Sequence, residues 1–187
     1  SSDLKLRFKT LVAGRCTLAP VIDGNMDDHA WVLNTNKVNE FFQIAPLELS
    51  APGKYTEAMI SYNDEELYVF IKAYDNQPEN IRKILVRGDS WFTGFASNSD
   101  WVGISVDSRN DDYNGYFFGV NSSGVKIDVA VSGDSKFDPK WNAIWDVAVV
   151  IDSSGWSAEF KFPFSIFQFD NKPDMKWGIS FTRHIHS

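Results

Sequence analysis

One cysteine and three histidines leave the 187-residue sequence unable to close an intrachain disulfide or to build a Cys/His zinc site. No run of about 18 apolar residues occurs, so the sequence offers no candidate membrane-spanning helix. Basic residues are scarce: 18 Lys and Arg face 25 Asp and Glu, for a net charge of -7. The charges are scattered, with no cationic stripe to track a phosphate backbone, which argues against nucleic acid as a partner. The opening SSDLKLRFKT lacks an apolar signal core, although a trimmed terminus would leave none to read. Amphipathic helical windows are few, and the length calls for one domain, residues 1–187.

Aromatic residues are abundant instead: seven Trp, six Tyr and fifteen Phe. Their flat faces suit the stacking of a sugar and equally the interior of a β-sandwich. Alternation of period two runs through residues 57–62, 66–75, 100–107, 116–121, 125–131, 144–151, 156–162 and 177–185. In ELYVFIKAYD, for instance, Leu67, Val69, Ile71 and Ala73 fall on one face and Tyr68, Phe70, Lys72 and Tyr74 on the other. Eight short strands divided by turn residues predict an all-β, antiparallel sandwich with jelly-roll or immunoglobulin-like layers. Gly155, in DSSGW, is suited to a positive φ between two of them. Helix is expected only as one or two turns, one with Asn25 as N-cap and Asp27 and Asp28 in its first turn, another after Pro78. Trp145, Trp156 and Trp177 continue apolar faces and are assigned to the core, Trp31 closes the short N-terminal turn onto the sandwich, and Met26, Met59 and Met175 are core fillers.

The segment SDWVGISVDSRNDDYNGYFFGVNSSG places a knot of Asn, Asp and Gly between two alternating runs. If the runs pair, Trp101, Gly103, Gly119 and Asn121 share an outward face and form a shallow surface of aromatic and amide, suited to a sugar ring. Asp100 and Asp128 are candidate hydrogen-bond acceptors beside it. Asn110, Asp112 and Asn114 match the first half of a calcium loop, N-x-D-x-N-G, but the bidentate Glu of such a loop is replaced by Asn121. A hairpin turn is the first reading of this knot and a calcium site the second. Asn121-Ser122-Ser123 also fits the glycosylation acceptor pattern.

The segments PVIDGNMDDHAW, ELYVFIKAYD, SDWVGISVD, GYFFGVN, WDVAVVIDSSGWSAEFKFPFSIF and WGISF together resemble carbohydrate-binding module family 9, over about residues 19–184. More closely they are similar to the family-9-like N-terminal module of larger bacterial proteins. The resemblance implies a β-sandwich, non-catalytic saccharide binding, structural calcium, and a periplasmic, outer-membrane or secreted setting linked to polysaccharide catabolism. It further implies a C-terminal region of the same polypeptide as a partner. In the family the sugar lies between two Trp, with an Arg, an Asn and further polar groups bonding it. Asn121 falls at the position of that Asn, Gly119 at that of the Arg and Ser97 at that of the first Trp. Trp91 is the substitute offered by the preceding loop, and the second Trp belongs to a segment beyond Ser187.

Two other functions compete. A docking module would use Trp91, Phe92 and Phe95 as apolar anchors against the rest of a longer polypeptide, with no sugar site. A glycoside hydrolase would need two facing carboxylates, for which Asp100, Asp107, Asp128, Asp146 and Glu159 qualify by type, yet outward carboxylates on strands are usually solvated. His29, His184 and His186 join no nucleophilic motif.

Overall fold

The computed structural model describes residues 9–85, 95–133, 136–138, 140–170 and 172–186, with the backbone alone at Ser97. Two β-sheets pack face to face. The first has the order β1-β3-β4-β10-β9 with β2 beside β3, formed by Gly14–Arg15, Thr56–Tyr62, Glu66–Tyr74, Gly155–Pro163, Asp146–Asp152 and Lys37–Val38 respectively. The second has the order β11-β5-β6-β7-β8, formed by Gly178–His184, Trp101–Asp107, Asn114–Asn121, Lys126–Ser132 and Lys136–Asp138. Every pairing is antiparallel except β1 with β3. All eight strands expected from alternation are present. The short strands β1, β2 and β8 have two or three residues each, too few to carry a period.

The inner faces follow the alternation. Val69, Ile71, Phe160 and Phe162 from the first sheet meet Val102, Ile104, Phe118 and Val120 from the second, all fully buried. Phe118 is the hub, with its ring 4.5 Å from that of Phe162 and 5.4 Å from that of Trp145. Trp31, Trp145 and Trp156 are buried as expected and Trp177 packs on Phe167, so much of the aromatic surplus builds the interior. Met175 departs from its expected core role and is 47 % exposed.

The first short helix, α1, spans His29–Val32 with Asp28 at the N-cap position, three residues later than Asn25, and the Asp28 carboxylate accepts the Val21 N–H instead of capping. Asn25 is already committed: its N–H donates to the Asp23 carboxylate in a local turn, with Gly24 at φ +84°. The expected turn after Pro78 is a single turn of 3-10 helix, Pro78–Asn80. The second helix, α2, is one turn, Ala96–Asn98.

Arg183, near the end of β11, ties the two sheets together. Its guanidinium donates to the carbonyls of Tyr55 and Tyr74 at 2.8 and 2.9 Å and to the Thr56 hydroxyl at 3.1 Å. Next to this clamp, the buried Asp75 carboxylate pairs with Lys54 and accepts the Gln77 N–H at 2.9 Å. Burial pushes its pKa up, but Lys54, the Gln77 amide and the field of Arg183 outweigh burial and hold it below the ordinary 3.8. A carboxyl lowered on folding stabilises the native state above its unfolded pKa and loses that contribution as pH falls through the folded value. Asp75→Asn is therefore expected to cost about 2 kcal/mol at neutral pH and much less near pH 2. Urea unfolding of both proteins at the two pH values checks this, and an equal deficit at both would refute it.

Candidate functional site

The sequence directs attention to the outer face of the second sheet, where β5 and β6 pair in the anticipated register, Trp101 opposite Asn121 and Gly103 opposite Gly119. The expected shallow surface is not open. A Cβ on Gly103 would lie 2.5 Å from the Phe117 ring, and one on Gly119 3.1 Å from Phe117 and 3.2 Å from Phe95. The gap left by the two glycines is thus filled by phenylalanine rings. Trp101 is only 8 % exposed: the His184 imidazole stacks on it at 5.6 Å and 13°, with the rings of Phe95 and Phe117 at 5.7 and 6.1 Å. Burial pushes the His184 pKa down, while Asp100 pulls it up and His186 pushes it further down.

Asp100, Trp101 and Asn121 do converge at one end of this sheet, but the polar groups serve the backbone. The Asp100 carboxylate accepts the N–H of His186 at 2.6 Å and that of Arg82 at 3.3 Å. Asn121 is fully buried; its amide donates to the Ile84 carbonyl at 2.9 Å and accepts the N–H groups of Ser123 and Val125 at 3.0 and 2.9 Å. Together with Ser122, whose hydroxyl donates to the Arg82 carbonyl at 2.8 Å, they pin Arg82 and Ile84 across the strand ends. Full burial of Asn121 also denies the glycosylation pattern an accessible acceptor. Asp128 is elsewhere. It stands opposite Phe118 and faces the sheet interface, where it accepts the Ala143 N–H at 2.9 Å and the Trp145 indole N–H at 3.4 Å. Trp91 and Phe92 lie outside the described residues, whereas Phe95, the third docking anchor, is fully buried.

The Asn/Asp/Gly knot is a turn that satisfies its own amides. Asp111 accepts the N–H groups of Tyr113 and Asn114 at 2.9 and 2.8 Å and the Asn114 side-chain amide at 2.9 Å. Asp107 accepts those of Arg109 and Asp112 at 3.1 and 2.9 Å. Asn110 and Asp112 take positive φ, 52° and 54°, as these residue types tolerate. Two of the three proposed calcium residues thus supply backbone conformation and the third donates to Asp111. Among the described residues no group of three or more His, Cys, Asp or Glu is placed to hold a metal ion.

A second place combines chemistry with open space, on the outer face of the first sheet. Residues 19–28 cross this face as a strap, anchored by Glu159, whose buried carboxylate accepts the N–H groups of Asp23 and Gly24 at 3.0 and 2.9 Å and the Trp31 indole N–H at 2.7 Å. Beside the strap is a cavity of about 460 Å³ with Glu66, Tyr68, Lys126, Asp146 and Lys161 in its lining. Strand register makes Lys161 the centre, opposite Tyr68 on one side and Asp146 on the other. Its ammonium is 3.0 Å from Asp146 and 3.9 Å from Glu66. The bond to Asp146 raises the Lys161 pKa above its ordinary value. Tyr68 donates to Glu66, and Lys126 lies 4.5 Å over the Trp145 ring while donating to the Trp145 carbonyl. Sequence reading missed this cluster because its members come from four strands, β4, β9 and β10 of the first sheet and β7 of the second. The available signal was the outward parity of Glu66, Asp146 and Lys161, and only strand order makes them neighbours.

No family model matches the sequence, and no curated protein does. Solved structures resemble the fold. A carbohydrate-binding module family 9 structure from Caldicellulosiruptor kristjanssonii in complex with glucose aligns at a TM-score of 0.58 and 16 % identity, over 93 % of this chain and 77 % of that one. The complex with cellotriose gives 0.58 and 17 %, over 91 % and 74 %. A candidate carbohydrate-binding protein from Bacteroides uniformis gives 0.63 and 13 %, over 91 % and 81 %. At these identities the likeness establishes a family-9-like sandwich fold.

Proposed function

We propose that this chain is a non-catalytic carbohydrate-binding module, the N-terminal part of a larger exported protein that works on polysaccharides in the periplasm, at the outer membrane or outside the cell. The observation that carries the binding reading is the likeness of the sandwich, over nearly its whole length, to domains bound to glucose and to cellotriose. The role of three of the candidate carboxylates supports binding over hydrolysis. A glycoside hydrolase keeps two carboxyl groups facing its substrate. Asp100, Asp128 and Glu159 instead each accept two or three N–H groups of their own chain.

The test is a tryptophan-fluorescence and calorimetric titration with glucose, cellotriose and a panel of other oligosaccharides, with calcium and again with chelator. Saturable binding without turnover is the expected result, and a signal lost on chelation would give calcium the structural role implied by the sequence resemblance. Trp91→Ala is expected to weaken binding by roughly tenfold, the scale of one stacked aromatic contact. A folded protein that responds to no sugar in the panel would overturn the reading.

A further inference from the structure

We propose that the cavity beside the strap on the first sheet is a saccharide subsite of its own, recognising one neutral sugar ring through charge-balanced polar groups, on the face of the sandwich opposite Trp101. The inference rests on the reading of this chain as a carbohydrate-binding module and adds a location and a mode of recognition to it.

Size admits a sugar. At about 460 Å³ the cavity lies within the usual range of small-ligand sites, roughly 300–1,000 Å³. Charge selects its class. Two ammonium groups, Lys126 and Lys161, are offset by two carboxylates, Glu66 and Asp146, so an anion and a cation each meet a like charge wherever they meet an opposite one. A polyol escapes this conflict, because each hydroxyl both donates to a carboxylate and accepts from an ammonium. The groups are held in place beforehand: Lys161 by Asp146, Lys126 by the Trp145 carbonyl and ring, and Glu66 by the Tyr68 hydroxyl. A carboxylate has about four lone-pair sites and an ammonium three protons, so these anchors leave bonding capacity for a ligand.

Pro20, Ile22 and Val147 add apolar surface to the lining. It matches the CH-rich face of a pyranose. Tyr68 presents no open ring, being fully buried, so recognition here is by hydrogen bonds with apolar contact and without aromatic stacking. A single ring is therefore the expected unit.

Asp146 is the residue to change, because its side chain is 61 % exposed and its loss leaves the interior intact. The experiment follows backbone amide NMR shifts during titration with glucose and, separately, cellotriose, in the wild-type protein and in Asp146→Ala. The amides of Ile22, Tyr68, Val147 and Lys161 are expected to shift saturably with glucose, and Asp146→Ala to weaken that response by roughly fivefold. Responses around Trp101 and Asn121 are expected to be the same in both proteins. Lys161→Met gives an independent variant that keeps the stem of the side chain, with the same loss expected. Glucose shifts confined to the surroundings of Trp101 and Asn121 would overturn this site and leave the binding function standing. No shift with any sugar would overturn both. Stronger shifts of the same four amides with glucuronate than with glucose would overturn the neutral-ligand assignment.

Discussion

Gly155→Ala is expected to abolish cooperative folding or to lower stability by on the order of 4 kcal/mol, because it combines backbone strain with overpacking. Gly155 has φ +135°, where L side chains are rarely found. The added Cβ would stand 2.2 Å from the Ala73 carbonyl oxygen, 2.7 Å from the Asp75 nitrogen and 2.9 Å from the Tyr74 Cα. All three are backbone atoms of the neighbouring strand and cannot rotate away. The residue closes the turn between β9 and β10, two strands that fill one side of the first sheet. Gly124→Ala is the control: its φ is +80°, yet nothing lies within 4 Å of the new methyl. Strain alone predicts a loss of about 1 kcal/mol there. Thermal unfolding followed by circular dichroism compares the two, and similar melting temperatures would show that packing against β4 is not the decisive term.

Glu159→Ala is expected to cost about 3–5 kcal/mol, the usual scale for removing one partner of a buried charged network. Glu159 lies on β10 with its carboxylate fully buried between the strap and the sheet. Its removal strands three donors, the part-buried amide of Asp23 and, in the interior, the amide of Gly24 and the indole of Trp31. Glu159→Gln fares little better, since its NH2 group has no acceptor among those donors. Burial raises the Glu159 pKa, with the Trp31, Gly24 and Asp23 bonds pulling it down. A carboxyl raised on folding contributes most below its unfolded pKa, near 4.5, and that excess is lost as pH rises through the folded value. The deficit of Glu159→Gln relative to wild type is accordingly expected to shrink between acid and neutral pH, the reverse of Asp75→Asn. Guanidinium unfolding across this range measures both, and a deficit of Glu159→Ala below about 1 kcal/mol would refute the anchoring role.

Asp75 and Glu159 show why the candidate site was harder to read than the fold. Both look like ordinary outward or terminal carboxylates in the sequence. One is paired by Lys54 from across a loop, and the other is covered by a strap about 135 residues away. Likewise Trp101 and Asn121 have the parity of a binding surface, and both are closed over, Trp101 by His184 from β11 and Asn121 by the Ile84 carbonyl.

Alternation alone determined the all-β class, the eight principal strands and the inward face of each, because a period of two forces the apolar residues of a strand to one side. Tertiary structure decided what covers the outward faces: Phe95 and Phe117 over Gly103 and Gly119 of the second sheet, and the strap over the first. It also brought Glu66, Asp146 and Lys161 into one cavity. Parity along a strand fixes where a side chain points, whereas its neighbours depend on strand order and on distant segments, which carry no local signal.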